Sequence, residues 1–449
     1  SEEIPPRTSS RAKMLLASVL PLCGIKQSAP SKHGGEAMWP KACLKSKSLL
    51  VDPSWASIRC VHNQTISRHT IAVNAMVEPA NQTWKHHEIF SEFAPWQGRL
   101  LANRGLLVDF LGFTINQSLY CNDDYMRQFD AHALRKRQCD VFAMCKLRRG
   151  GGAAARMPTV RTTWPVVSEE YFEYIDVLTA VSEYAADVKA ATERQKPQRP
   201  FTFVELGAGY GHWTFAAHRA LQQKVAGAPH AYLLVDVLKS LGAEVSKLAR
   251  LNEITFSAPD PAHRLRFHAG YVTAEKSNMN EADTKMASRM ISDYSRIWGL
   301  DTKKSETGKS DSEAPASSAS LRALFDRYKL PCIIDMIDMD IQGAEYVSYQ
   351  KRAGVFSDTG TIELLTQRVR RVHIGLHGGP APNKRLLSVF ARWGWIQQWY
   401  FPRGVQETPY GPATFGDGVL SLLNPTLNDT WAAAAACQAQ RRRIKKRPP

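Results

Sequence analysis

The sequence has no apolar run approaching the roughly 20 residues that a membrane-crossing helix needs. Its nearest candidate, Met14–Ile25, follows Arg7, Arg11 and Lys13, is interrupted by Pro21, and reads either as the core of a targeting segment or as an apolar stub. Metal-binding cysteine patterns are missing too: none of the 8 cysteines shows C-x-x-C or zinc-finger spacing, so no metal site is expected from them. Eight in this length are also too few for a disulfide scaffold. Acidic residues are in deficit, 42 against 58 Lys and Arg, for a net charge of +16. That excess invites a nucleic-acid partner until it is located. Residues 134–149 carry +5 and residues 441–449 carry +6, which leaves only +5 for the rest of the chain. Basicity concentrated at two peripheral stretches reads as a solvated helix face and a solvated tail.

The 449 residues divide by composition. Residues 1–60 are an irregular lead-in containing the candidate targeting segment, and 61–160 form a more apolar accessory region whose topology the pattern leaves unassigned. His86 and His87 are adjacent and so point apart on any regular element, which makes them surface histidines rather than a metal pair. Six cysteines (Cys23, Cys43, Cys60, Cys121, Cys139, Cys145) and three N-x-S/T sequons (Asn63, Asn81, Asn116) crowd this part, with a fourth sequon at Asn428. These features allow a lumenal region with disulfides. The compartment stays open between the secretory pathway or Golgi lumen and the cytoplasm. Gly and Ala at 150–155 mark a joint.

Residues 161–430 alternate strand and helix patterns, the signature of an α/β domain with a mostly parallel sheet. Ser168 caps a helix to Ala191 with Glu169 and Glu170 in its first turn. Strands are expected at Phe201–Leu206, Ala231–Val237, Leu265–Val272, Cys332–Asp340 and Arg371–His377. Helices lie between them, one from Trp213 to Val225, one carrying Leu241, Val245 and Leu248, and one starting at Asn383. Trp395–Phe401 and Val419–Leu423 make a C-terminal antiparallel pair. Residues 301–320 are polar and serine-rich and are expected to be a disordered insertion, and 431–449 are a basic tail.

The chemistry gathers at two strand ends. After Phe201–Leu206 come Gly207, Gly209 and Gly211, a strand-to-helix turn where glycine admits positive φ and close approach of a ligand. The third glycine comes one residue too early for the dinucleotide fingerprint, and no Gly-Lys-Ser/Thr follows this strand, which removes the Walker loop. Glu205, Gly207, Ala208, Gly209, Tyr210, Gly211 and Trp213 instead resemble the first motif of class I methyltransferases. Asp236, 25 residues after Gly211, stands where nucleoside-binding folds place a carboxylate for the ribose hydroxyls. The strand at 332–340 holds Asp335, Asp338 and Asp340, an unusual load of acids for a buried element.

Asp335, Asp340, Gly343, Ala344 and Glu345 match the fourth-strand motif D-x-x-K-I-D-V-E-G-A-E of the FkbM-type methyltransferases, with Asp338 and Gln342 replacing its lysine and glutamate. Glu170–Tyr174, Glu205–Trp213, His373–Gly378, Trp393–Trp395 and Asp417–Pro425 resemble landmarks of one branch of that family, over about residues 165–427. The resemblance implies a Rossmann-like class I sheet, S-adenosylmethionine as cofactor, and O-methylation of a sugar, glycan or natural-product hydroxyl. On that reading Asp340 and His377 flank the transferred methyl and Glu345 positions one of them or the acceptor. A variant using Mg²⁺ would draw on Asp338, Asp340 and Glu345. Two other readings stay open. One is a nucleic-acid methyltransferase, against which Asp340-Ile-Gln-Gly stands where a base-holding Asn/Asp-Pro-Pro-aromatic turn would be. The other is a catalytically idle methyltransferase-like subunit of a larger assembly.

Overall fold

The computed structural model describes residues 86–99, 106–116, 159–162, 164–165, 167–254, 263–274, 317–346, 354–428, 430, 432–435 and 437, all belonging to the unit Ile58–Pro449. The lead-in, the basic stretches at 134–149 and 441–449, the Gly/Ala joint, the first six cysteines and most of 301–320 lie outside them.

A 3-10 turn at Glu88–Glu92 opens the described chain, followed by β1 (Gln97–Arg99), β2 (Leu106–Val108), β3 (Thr114–Asn116) and β4 (Thr159–Arg161). These pair as two small antiparallel sheets, β1 with β4 and β2 with β3. The main domain runs α1 (Glu169–Glu193), β5 (Phe201–Leu206), α2 (His212–Lys224), β6 (His230–Asp236), α3 (Leu241–Leu251), β7 (His263–Thr273), β8 (Ser317–Ser320), α4 (Leu321–Arg327), β9 (Ile334–Met339), α5 (Thr359–Arg368), β10 (Val369–Leu376) and α6 (Pro380–Arg392). It ends with β11 (Ile396–Phe401), β12 (Gly404–Thr408), β13 (Gly411–Phe415) and β14 (Gly418–Leu423).

Eight strands form one sheet in the order β11-β14-β10-β9-β5-β6-β7-β8. From β10 to β8 all neighbours are parallel, whereas β14 is antiparallel to both β10 and β11. The mostly parallel α/β sheet with its C-terminal antiparallel pair is as the sequence implied. Helices cover both faces, which is why β5, β9 and β10 are buried at every position instead of alternating. The order reverses between β5 and β9, the switch point where open parallel sheets form a crevice at their C-terminal edge.

On one face, Val204, Ile337, Val372, Ile374 and Leu422 pack with Leu324, Leu365 and Phe390 of α4, α5 and α6. On the other, Phe203, Leu234 and Met336 pack with Tyr171, Tyr174 and Phe215 of α1 and α2. Asp335, at the start of β9, is tied to Arg199 by two contacts of 2.8 and 2.6 Å and accepts the Thr202 N–H at 2.8 Å. The first of the three acids is therefore a structural anchor, since a buried carboxylate persists only when its oxygens are satisfied. Arg370 and Arg371 of β10 fasten α1 through Glu183 and Asp187 in the same way.

Several expectations are corrected. Ser317–Ser320, assigned to the disordered insertion, adds an edge strand to β7, because tertiary pairing overrides a serine-rich composition. His87 is not a free surface residue: its Nδ1 accepts the Ile89 N–H at 3.1 Å to cap the 3-10 turn, and its ring packs on Trp399 and Tyr410. Ser168 occupies the N-cap of α1, yet its hydroxyl bonds Glu170 at 2.8 Å and caps nothing. The two cysteines outside the cysteine-rich part, Cys332 and Cys437, are bonded to each other. This pins the helical residues 432–435 and 437 back to the start of β9.

Candidate functional site

Gly207, Gly209 and Gly211 all have positive φ, +76°, +52° and +88°. A Cβ on Gly207 would lie 1.8 Å from the Asp340 carbonyl oxygen, and the Asp340 N–H donates to Leu206 O at 2.8 Å. The two motifs thus meet backbone to backbone across the switch point. Gly211 answers a different need, because its Cβ would lie 2.5 Å from Leu234 Cδ2 and force α2 away from the sheet.

Within the turn four of the donors are already engaged. Gly207 and Ala208 N–H donate to Val235 O (2.9 and 3.0 Å), Gly209 N–H to Asp236 Oδ2 (2.9 Å) and Gly211 N–H to Ala208 O (2.7 Å). Glu205, buried beneath the turn, accepts the N–H groups of Trp213 and Thr214 (3.3 and 2.9 Å) and the Thr214 hydroxyl. It fills the helix N-terminus where an anion would otherwise bind. A turn spent this way is a poor phosphate cradle. Burial pushes the Glu205 carboxyl up to about 7 against its hydrogen bonds, and Asp236 up to about 6 against those from Leu238 and Gly209.

A strap from the accessory region closes over the turn. Phe113, beside β3, stacks on Phe215 at 5.2 Å and on Tyr210 at 6.4 Å between ring centroids. Asp109 holds the strap's bend by accepting the Leu111 and Phe113 N–H groups (3.0 and 2.6 Å) and the Tyr174 hydroxyl (3.1 Å). His212 bridges Tyr174 and Tyr210 at 3.1 and 3.2 Å. Trp213 packs edge-on against Tyr174.

Across the crevice, His377 stands just past β10 amid carboxylates. Its Nε2 is 3.0 Å from Asp340 Oδ1 and 3.4 Å from Asp417 Oδ2, and its Nδ1 is 3.4 Å from Glu345 Oε1. Burial alone would lower its pKa, but Asp340, Asp417 and Glu345 together raise it to about 12, so the ring is cationic at neutral pH. Glu345 is fully buried and accepts the Ile341 N–H at 3.1 Å, whereas the Asp340 side chain is 44% exposed and open to a ligand. Glu169 holds the loop carrying Asp417 by accepting the Gly416 N–H at 2.7 Å. Burial, then Glu170 and Asp417, push Glu169 up to about 8.

Asp340, His377 and Glu345 therefore come together, and Gly207, Gly209 and Asp236 face them across the switch point. The Mg²⁺ set does not assemble: Glu345 and Asp340 approach opposite nitrogens of the His377 ring, and Asp338 lies in a separate cluster with Glu173 and His373. Asp417 and Glu169 were missed as site residues because each reads from sequence as an ordinary loop or helix-start acid. Only the return of β14 beside β10 brings Asp417 to His377. A cavity of 240 Å³ lined by Lys384, Leu387, Trp395, Gln397 and Leu422 lies between α6 and the sheet edge, away from these residues.

No family model matches the chain, and no curated protein matches it in sequence. Several solved structures are similar to it at low overlap. A precorrin-6y C5,15-methyltransferase from Geobacter metallireducens GS-15 is 6% identical with a TM-score of 0.26, over 57% of this chain and 89% of that one. The magnesium protoporphyrin IX methyltransferase of Synechocystis PCC 6803, with bound SAM, is 10% identical with a TM-score of 0.24, over 63% and 90%. The METTL16 methyltransferase domain is 11% identical with a TM-score of 0.27, over 72% and 88%.

Proposed function

We propose that this protein is an S-adenosylmethionine-dependent methyltransferase of the FkbM type that methylates a hydroxyl group on a sugar, glycan or small natural product. One observation carries the reading: the Gly207 backbone lies against Asp340 at the switch point, with Asp236 on one side and the Asp340–His377 pair on the other. The residues fit the cofactor, since three glycines at positive φ keep the turn bare of side chains and Asp236 stands beside it at the end of β6. Gly207, Ala208, Gly209, Tyr210, Gly211 and Trp213 would hold it, with Asp236 at the ribose. When bound, the cofactor supplies an electrophilic methyl group on a sulfonium.

The chain's own residues divide the remaining work. A hydroxyl acceptor must lose its proton as its oxygen is alkylated. Protonated His377 has no lone pair to offer, so the base is a carboxylate, and of the two part-exposed ones beside it, Asp340 at 44% and Asp417 at 39%, Asp340 is the one that adjoins the Gly207 turn. His377 fixes Asp340 and presents a positive edge that holds the acceptor oxygen in line. Glu345 and Asp417 keep that imidazolium charged and oriented.

Isothermal titration of the full chain with S-adenosylmethionine tests the cofactor. Binding should occur, and binding weaker than about 1 mM would sink the reading. Labelled cofactor incubated with glycan, lipid, small-molecule and nucleic-acid fractions then tests the acceptor. Label confined to the nucleic-acid fraction would overturn the hydroxyl assignment while sparing the cofactor.

A further inference from the structure

A row of polar residues crosses the centre of the sheet under α1. Glu205 of β5 is the register partner of Asp338 on β9, Asp338 of His373 on β10, and His373 of Ser421 on β14. Glu205 is satisfied by the start of α2, and Ser421 donates to Asp176 Oδ1 at 2.6 Å. The middle of the row is not satisfied. Asp338 Oδ1 and His373 Nε2 are buried without a hydrogen-bond partner among the described residues, in side chains that are 2% and 1% exposed. Both face Glu173 of α1, whose Oε1 is 3.7 Å from His373 Nε2, and one donor atom from each of the three lies within 4.8 Å of the others.

The tautomer of His373 sharpens the problem. Asp176 Oδ2 lies 2.7 Å from His373 Nδ1, and with Nδ1 donating to it the lone pair of Nε2 faces two carboxylates. Three acceptors converging in a buried space repel one another unless something positive joins them. A carboxylate behind a histidine whose other nitrogen faces a cluster of acids is also the arrangement that orients metal-binding imidazoles.

We propose that Glu173, Asp338 and His373 bind a divalent first-row transition cation, of the Mn²⁺ or Zn²⁺ kind, in the layer beneath Asp340 and His377. The donor set, one imidazole nitrogen and two carboxylate oxygens, suits such ions better than Mg²⁺, which prefers oxygen alone. Bonds of about 2.1 Å put neighbouring donors of a tetrahedral shell roughly 3.4 Å apart, so donors as far as 4.8 Å apart would close by about 1.4 Å on binding the ion. The charge balances, two carboxylates against a 2+ ion. The ion would clamp α1 to β9 and β10. The proposal does not depend on the cofactor reading.

Mn²⁺ is the probe, because Zn²⁺ would also be taken by the cysteines of the N-terminal part. The full chain, stripped with a chelator, is titrated with MnCl₂ by calorimetry, and the complex is examined by pulsed electron paramagnetic resonance. About one ion per chain should bind and show nitrogen coupling to an imidazole. Glu173→Gln and His373→Gln should abolish that site, and Asp176→Asn should weaken it about tenfold to a hundredfold. Absence of Mn²⁺ binding to the wild-type chain overturns the proposal, as does bound Mn²⁺ without nitrogen coupling, whether or not any variant folds. Coupling that survives His373→Gln also overturns it and leaves a shared proton as what joins the carboxylates.

Discussion

Each face of the central sheet is built by alternate residues of the same strands, so Ile337 and Asp338 are neighbours in sequence and strangers in environment. The face under α4, α5 and α6 is mostly aliphatic along its central strands, with Val204, Ile337, Val372 and Leu422 in one continuous core. The face under α1 and α2 has an aromatic core too, but a polar row, Glu205, Asp338, His373 and Ser421, cuts across it near the C-terminal edge. An aliphatic face needs only volume and close packing to be stable. A row of buried acids is costly to keep, and it lies one layer beneath the strand ends where Asp340 and His377 stand. On the proposed function, the difference assigns stability to one face and chemistry to the edge above the other.

The largest effect that would separate the two belongs to Asp340. Its side chain is 44% exposed, so Asp340→Asn should leave folding intact. Turnover should drop about a hundredfold to ten-thousandfold while S-adenosylmethionine affinity changes little. Rate and calorimetry measured on one preparation check this, and unchanged turnover would remove Asp340 from the chemistry. Ile337→Ala on the aliphatic face should do the reverse. Its side chain is completely buried, so the cavity left should cost about 2–5 kcal/mol in a urea titration, with turnover per folded molecule preserved. Lost turnover in a still-folded Ile337→Ala protein would mean the faces do not divide the labour.

Gly207 belongs to neither face and sits where β5 meets β9. Gly207→Ala must accommodate a positive φ, worth about 1–2 kcal/mol, and a collision with the Asp340 carbonyl. The β5–β9 junction would have to open. Cofactor affinity should therefore fall together with the urea midpoint, in contrast to Asp340→Asn, where the two separate. A Gly207→Ala protein with wild-type affinity would show that the ligand does not lie against this turn.

How much of this could be read from the residues alone varies by element. The strands at 201–206, 332–340 and 371–377 were legible because long apolar runs bounded by glycine or acids have few other uses, and the turn at Gly207–Gly211 followed from its spacing. Asp340, His377 and Glu345 were named because acids and a histidine at parallel strand ends point to a crevice. Three things were not legible. Asp417 reaches His377 only through the antiparallel return of β14, a non-local pairing that no local pattern encodes. Glu173 looks like any acid on an amphipathic helix until the rotation of α1 aims it at the sheet. The helix at Thr359–Arg368 is short and capped by Asp358 through the Thr361 N–H, and its few apolar positions gave no sustained period.

The smallest effect is a slope. His377 is held at about 12 in the folded chain against 6.5 for a free histidine, because Asp340, Asp417 and Glu345 outweigh its burial. A group raised on folding contributes its full stability below the unfolded value, here about 6.5, and loses it as pH climbs toward the folded one. Across pH 7 to 9 the native state should therefore weaken by up to about 1.4 kcal/mol per pH unit from this residue. Buried Glu205 and half-buried Glu169 are raised as well, to about 7 and about 8, and they destabilise the fold in the same direction over part of that range. Subtracting the urea stability of His377→Gln from that of the wild type at each pH isolates the histidine. A difference that declines steadily from pH 7 to 9 identifies an imidazolium held by its carboxylates. A flat difference would mean that His377 is neutral in the native protein, and the base in the proposed reaction could then be the histidine itself rather than Asp340.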